Sequence, residues 1–488
     1  MEFFAEFLPA KHNKAIVIIA AVCLCLVFVL SACTSTSTFK AVATEAGEVS
    51  GNGGSAVRYG KYIFYVNGYQ SDATAANTYD NTIRVGQIVR IAVSDLEEAI
   101  EKTKQNNKSS SVISSEISAF IAEKATVVVP NFYYSNNTTE TGLNGIYIFD
   151  GRLYYTTPND ELTAGGEKLT SQLVLKSVKL DGTEATATRH HVFTSNSTQI
   201  MLSLVGNDVY ATYTEDSKLY SLKLDGSEAV ELKIGEDEAK LSNIKYDKDE
   251  NGNYIGIFAT DESGSICHYT VGEKAIVKYV TIDKTAEGHK NDSLTVSSVN
   301  NGYVYYTKTI DSVSDGKVYY TNKAVEDGKD VVFCNTNISG SYGNGISKIY
   351  VDSKADGNVT YYNIYVNDNV DMKEEGKRAL LVAEENVKSI TIDRVVGKYV
   401  YYTADGVNYV IDSTITTAVE HGTVVGKGLS TTATGWSTPD ALGFTLDGVN
   451  YNYVFTLASG SVSVVKFDAE KVTNSTSATI TLVEQSDK

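Results

Sequence analysis

Proline, tryptophan and methionine are nearly missing from this chain, with Pro 4, Trp 1 and Met 3 among 488 residues. So little proline excludes a collagen-like or proline-rich chain, whose backbone depends on that residue. Cysteine is scarce too, at Cys 5, and its spacings make neither a disulfide framework nor a zinc-ligand set. Basic charge is outweighed: Lys+Arg 42 against Asp+Glu 60 leaves a formal charge of −18. Without a basic face, phosphate-backbone recognition has no footing, and no nucleic-acid partner is expected. The acidic balance mainly serves solubility. Charged residues make up only 21% and hydrophobic ones 42%, outside the disordered range. Beyond residue 33 no apolar run is long enough to span a bilayer.

What the chain does have is tyrosine and glycine, Tyr 33 and Gly 38, a pairing that favours strands and tight hairpins over helices. Its N-terminus is of another kind. Lys11 and Lys14 precede an uncharged run from Ala15 to Leu30, followed by small residues. A positive region, an apolar region and a small-residue site describe a secretory signal, here residues 1–32. The run is short of the roughly 20 residues a spanning helix needs, so an uncleaved anchor is the weaker reading. Before it stands MEFFAEFLPA, apolar and acidic where a signal is ordinarily basic; a start site placed too early would account for it.

The tetrapeptide Leu30-Ser31-Ala32-Cys33 resembles the lipobox of bacterial lipoproteins at all four positions. That resemblance covers the N-terminus alone. It implies cleavage between Ala32 and Cys33, a diacylglycerol thioether on Cys33, and a new N-terminus open to acylation. Two or three chains, at about 0.8 kcal/mol per buried CH₂, hold a soluble domain on a membrane where one does not. Of the other cysteines, Cys23 and Cys25 leave with the signal, and Cys267 and Cys334 remain. Two separate buried thiols are the simpler expectation, with a single bridge left open.

Residues 33–57, rich in Ser, Thr, Gly and Ala, read as a lipidated cysteine and a flexible tether. From 58 to 488 one phrase keeps returning: a Gly turn, then alternating aromatic and β-branched residues. It stands as GKYIFYVNG at 60, GNDVYATYT at 206, NGYVYYTKT at 301 and GKYVYYTADG at 397, among other copies. A second phrase, SxKLDG, ends at Gly182 and again at Gly226, an interval of 44 residues, and Gly302 and Gly397 lie at about twice that. Periods of about 40 to 50 residues, four strands each, are the mark of propeller blades. Asp-Gly and Asn-Gly recur throughout, as two-residue hairpins require. Adjacent tyrosines at 133–134, 154–155, 305–306, 319–320, 361–362 and 401–402 point to opposite faces of a strand, so both faces must be covered. Blades packed between neighbours meet that demand and half-exposed sandwiches do not.

The expected fold is therefore all-β, a propeller of seven blades, with eight the alternative. The phrases resemble the propellers of bacterial surface lipoproteins of unknown function, similar in turn to YWTD-type receptor propellers, though no copy carries a literal YWTD. ATITLVE at 478–484 is expected to pair with an N-terminal strand and seal the ring. Residues 94–125 break the β pattern. A capping box at Ser94–Glu97 and an apolar stripe of Ile113, Ile117, Phe120 and Ile121 predict two short helices packed on the rim of the first blade.

Signals for chemistry are weak. Asp247, Asp249 and Asn251 alternate as in the first half of a calcium loop, but Ile255 and Phe258 stand where ligands belong, so an acidic hairpin turn explains the tract better. GNGGSA at 51–56 and GTVVGKG at 422–428 lack the context of nucleotide loops. His190 and His191, if on a strand, face opposite ways. Trp436 lies in a loop where a sugar stacks or a blade end is covered. No catalytic, metal or cofactor site is assigned, and no cofactor is expected. The expectation is a monomeric, lipid-anchored extracytoplasmic binding module whose partners are the membrane, through its anchor, and an envelope protein or glycan. The alternatives are an enzyme acting on polysaccharide or peptide through channel carboxylates, and a structural member of an envelope complex.

Overall fold

The structure, a computed structural model, describes residues 41–482 apart from 70–82, 105–107, 130–143, 286–289, 326–328, 335–341, 368–377, 384–388, 425–440, 467–478 and a few isolated turn positions. The signal 1–32 and Cys33 lie outside the described residues, as do Tyr133, Tyr134, Asn251, His289 and Trp436.

Tight turns set the architecture. At Asp150-Gly151, Asn301-Gly302, Asp405-Gly406 and Asp447-Gly448 both residues take positive φ, with 47°, 49°, 44° and 51° at the Asp or Asn. That is the type I′ geometry whose twist matches paired strands. Strands joined this way build eight antiparallel sheets in chain order among the described residues, each holding four consecutive strands. Two sheets carry additions. Val49–Ser50 pairs with Ala56–Tyr59 in the first, and Lys233–Ile234 lies parallel to Ala275–Val280 in the fourth.

First strands touch first strands: Ala56–Tyr59 meets Tyr147–Phe149 on one side and Ala441–Leu446 of the last sheet on the other. Leu241–Lys248 likewise meets Ser293–Asn300, and Tyr342–Asn344 meets Ile390–Val396. Sheets that converge on their first strands and return from last to first are blades around an axis. The chain is thus the all-β propeller that its repeats predict, at the eight-sheet end of the expected range, with two helices. The phrase KLDG marks the turn after the third strand, following Leu173–Lys179 in the second blade and Lys218–Lys223 in the third. Tyr303 and Tyr399, just after Gly302 and Gly397, open second strands two blades apart.

The core lies between blades. Tyr154 and Tyr155 are both buried, Tyr154 in a cluster with Leu202 and Tyr213 of the third blade, Tyr155 in one with Phe64 and Phe455 of the first and last. Tyr305 and Tyr306 divide in the same way, Tyr306 packing with Phe258 of the fourth blade and Tyr305 with Val318 and Tyr365 on the other side. Period-two alternation delivers one ring to each neighbour. Polar clamps accompany this packing. Asn52 donates Nδ2 to Ile148 O at 3.2 Å and accepts from Ile148 N at 2.8 Å, tying the first blade to the second. Asn144 repeats the arrangement with Thr198 O at 2.9 Å and Ile200 N at 2.8 Å, tying the second to the third.

Three local expectations change. Thr479–Leu482, within ATITLVE, pairs with Ser461–Lys466 as the outer strand of the last blade and not with an N-terminal strand. Its free edge is met by the two helices, Val93–Thr103 and Ser110–Lys124, inserted between the third and fourth strands of the first blade. The helices bury Leu96, Ala99, Ile100, Ile117 and Ile121, as the rim-packing expectation requires. The capping box does not form. Strand Ile88–Ala92 runs straight into the helix, Ala92 takes the cap position without a side-chain bond, and Ser94 is already helical. The tether is fixed from Val42 onward. Val42 is buried, Val42 N and Ala43 N both reach Leu180 O at 2.8 and 3.0 Å, and Gly53 N reaches Ile146 O at 2.9 Å. Within GNGGSA, Gly53 N bonds the second blade and Gly54 N bonds Gly51 O at 3.1 Å, and the segment leads into a strand and not a helix, which removes the nucleotide reading on structural grounds.

Candidate functional site

A cavity of about 360 Å³ opens where the docked segment 41–46 crosses the end of the first blade. That volume falls within the range of small-molecule pockets. Its floor comes from one hairpin and one neighbouring strand. Arg58 and Tyr59 end the first strand, Gly60 turns the chain, Lys61 and Tyr62 lead into the second strand, and Arg90 belongs to the third. Leu446 reaches in from the last blade, and Ala41, Val42, Ala43, Glu45 and Ala46 form the strap.

The three cations differ in what occupies them. Arg58 is buried and engaged: Nε donates to Gly60 O at 2.6 Å, Nη1 to Glu48 Oε2 at 3.0 Å, and its guanidinium lies 5.0 Å from the Phe444 ring. It locks the strap, and the close approach of Gly47 to Gly60 shows how tightly. A Cβ on Gly47 would fall 2.5 Å from Gly60 Cα. Arg90 lies over the face of Tyr62 at 4.0 Å, and its buried Nε has no hydrogen-bond partner among the described residues. Lys61 is exposed, its Nζ 5.6 Å from the same ring. Glu45, exposed on the strap, is the one carboxylate among the lining residues. The carboxylate pair that glycoside hydrolysis needs is not assembled in this cavity.

The residues singled out from sequence lie elsewhere. Asp247 is fully buried and accepts from Gly302 N at 2.7 Å, while Asp249 closes its own hairpin by accepting from Asn253 N at 2.8 Å. The two carboxylates serve different partners, as an acidic turn does. No group of three or more metal-ligating side chains gathers among the described residues. His190 Nε2 and Ser177 Oγ are 2.7 Å apart, which resembles a nucleophile and its base, but Ser177 is fully buried and also takes a bond from Arg152 Nη1 at 2.7 Å. Burial and the Arg152 charge lower His190 to about 4, so it stays neutral. His191 packs instead against Phe193 and Tyr213, so the adjacent histidines share no ligand. Cys267 is a free buried thiol, which burial pushes up to about 12. Gly422 donates to the Tyr402 hydroxyl at 2.7 Å, Thr423–Val424 pairs as a strand with Val407–Asp412, and residues 425–428 lie outside the described residues.

No family model matches the sequence, and no curated protein matches it. Among solved structures, similarity extends to a eukaryotic initiation factor at 10% identity and TM-score 0.40, covering 92% of this chain and 90% of that one. It extends also to the β-propeller domain of the Trilobed protease from Pyrococcus furiosus, at 11% identity and TM-score 0.28 over 69% and 92% of the two chains. The β-propeller domain of Myceliophteria thermophila Cps50 (Swd1) follows at 12% identity and TM-score 0.29, over 66% and 91%. Likeness at this level says nothing of ligand or activity, and the blade architecture stands on the sheets themselves.

Proposed function

We propose that the chain is a lipid-anchored, extracytoplasmic propeller that acts as a binding module at the cell surface. The observation that carries the binding reading is the cavity under the strap, with a rigid blade for its floor and an arginine awaiting a partner. The anchor reading rests on Leu30-Ser31-Ala32-Cys33, and the docked strap sets how short its leash would be. From Cys33 to the docked Val42 the chain has nine residue steps, which reach at most about 30 Å when fully extended. As a flexible coil they cover only about 17 Å. An anchored ring would carry its cavity close to the headgroups. No helix among the described residues is long and apolar enough to cross a membrane.

Mass spectrometry of the N-terminal peptide tests the anchor: a lipid-bearing Cys33 at the new terminus is expected, and an unmodified Cys33 on protein still carrying residues 1–32 would refute it. A thermal-shift screen against glycans and envelope peptides tests the module. Reproducible stabilisation without turnover is the expected outcome, whereas product formation would replace the binding reading with an enzymatic one.

A further inference from the structure

We propose that the cavity under the strap takes a small organic oxyanion, an acid group on a short apolar stem, with Arg90 as its principal contact and Lys61 as a second counter-charge. The proposal rests on the binding-module reading and gives it a ligand class. Of the lining cations, Arg58 is already spoken for by Glu48, Gly60 and Phe444. Arg90 is not. Its guanidinium carbon lies 4.0 Å from the centre of the Tyr62 ring, which covers one side of the group. The in-plane N–H groups remain for an acceptor, and Nε is buried with none among the described residues. A buried donor without a partner is costly; Nε itself has no open surface, so a ligand would meet the outer N–H groups of this half-buried side chain.

A guanidinium fork matches the two oxygens of a carboxylate or phosphate, a match that a neutral hydroxyl cannot reproduce. Lys61, beside Gly60 in the turn that leads into the second strand, adds a point charge at the exposed side. Val42, Leu446 and the alanines 41, 43 and 46 supply apolar wall for a short stem. Glu45 on the strap opposes the charge, so it tempers affinity and selects against bulky polyanions. The shared chemistry, a phosphate or carboxylate on a stem, has two sources: a soluble metabolite, or the headgroup of a lipid near the anchor.

The experiment is isothermal titration calorimetry of the full chain in neutral detergent, with butyl phosphate, butanol as its uncharged counterpart, and glycerophosphoglycerol as a soluble lipid headgroup. Butyl phosphate is expected to bind and butanol not. Arg90→Gln should weaken binding at least about tenfold, the loss expected for a charge-assisted hydrogen bond. Arg90→Lys should fall between the two, because it keeps the charge and loses the fork. If Arg90→Gln fails to fold, the exposed positions decide: Lys61→Gln should weaken binding and Glu45→Gln should tighten it. Tighter binding of glycerophosphoglycerol than of butyl phosphate assigns the site to lipid headgroups, and the reverse order to soluble anions; either order supports the proposal. No heat from any anion, or equal affinity in Lys61→Gln and the wild type, overturns it. A glycan or peptide that stabilises the ring while every anion stays silent would overturn this inference and leave the binding-module reading standing.

Discussion

Glu97, on the first inserted helix, accepts a hydrogen bond from the hydroxyl of Tyr453 and pairs with Lys466, both on the last blade. The contact joins positions 356 and 369 residues apart in sequence, and it does so at the seam where the ring returns to its start. Burial and the neighbouring Glu97 carboxylate push the Tyr453 hydroxyl well above its ordinary pKa, so it stays protonated and keeps donating. Replacing Glu97 with Ala leaves the buried Tyr453 hydroxyl without its acceptor and Lys466 without its counter-charge. A loss of about 1–3 kcal/mol is expected, read as a lower denaturation midpoint and as faster hydrogen exchange in Ser461–Lys466 and Thr479–Leu482. Glu97→Gln, which keeps an acceptor, should lose less.

Asn144→Ala strips Thr198 O and Ile200 N of their partner at the junction of the second and third blades. Two buried backbone groups left unmatched cost about 1–3 kcal/mol each. Asn144→Asp keeps the acceptor for Ile200 N but loses the donor for Thr198 O, and should lie between wild type and Ala in urea unfolding.

Acid should weaken the ring through its histidines. His268 stacks on Phe258 at 4.2 Å and lies against Tyr279, and burial lowers it to about 4; His190 is lowered to about 4 by burial and Arg152. Unfolded, both titrate near 6.5, so between these values the unfolded chain binds more protons and stability falls as pH falls. The contribution is complete above about pH 6.5, shrinks down to about pH 4, and falls no further below that. For His268, which is 8% exposed, the loss is on the order of 3 kcal/mol at about 1.4 kcal/mol per pKa unit. Denaturation midpoints across this range check it, and His268→Phe should flatten the slope.

Truncation separates a tether from a structural strap. Chains begun at residue 41 should keep the stability of the longer protein. Chains begun at residue 58 lose the strand Val49–Ser50, the Asn52 clamp and the Glu48 partner of Arg58. They should unfold at lower temperature and give faster exchange in Tyr147–Phe149.

The repeats announced the propeller because local instructions recur along the chain: Asp-Gly or Asn-Gly turns, and tyrosine pairs such as 154–155 and 305–306 that serve two neighbours. Those are short-range signals. The cavity was not legible, since its residues gain meaning only across the sheet. Arg58, Lys61 and Tyr62 stand together around a glycine turn, but Arg90 arrives through a pairing of Phe64 with Arg90 that no spacing reveals. Composition also misread residues 41–56 as slack. Small residues there serve close approach, as where Gly145 would drive a Cβ to 2.1 Å from Gly53 O. The capping box failed for a related reason: the helix inherits its start from the preceding strand, with Val93 N bonded to Lys61 O at 3.0 Å.

The pairing of Thr479–Leu482 inside its own blade has a consequence for how the molecule comes into being. Among the described residues every sheet is assembled from one stretch of chain, so no strand there made early has to wait for a partner made last. Each wedge can complete itself as it emerges, in order, and local pairing of this kind shortens the interval in which bare edges invite misassembly. What needs early and late chain together is the closing seam, where the first strand and the two helices of the first blade meet the eighth wedge.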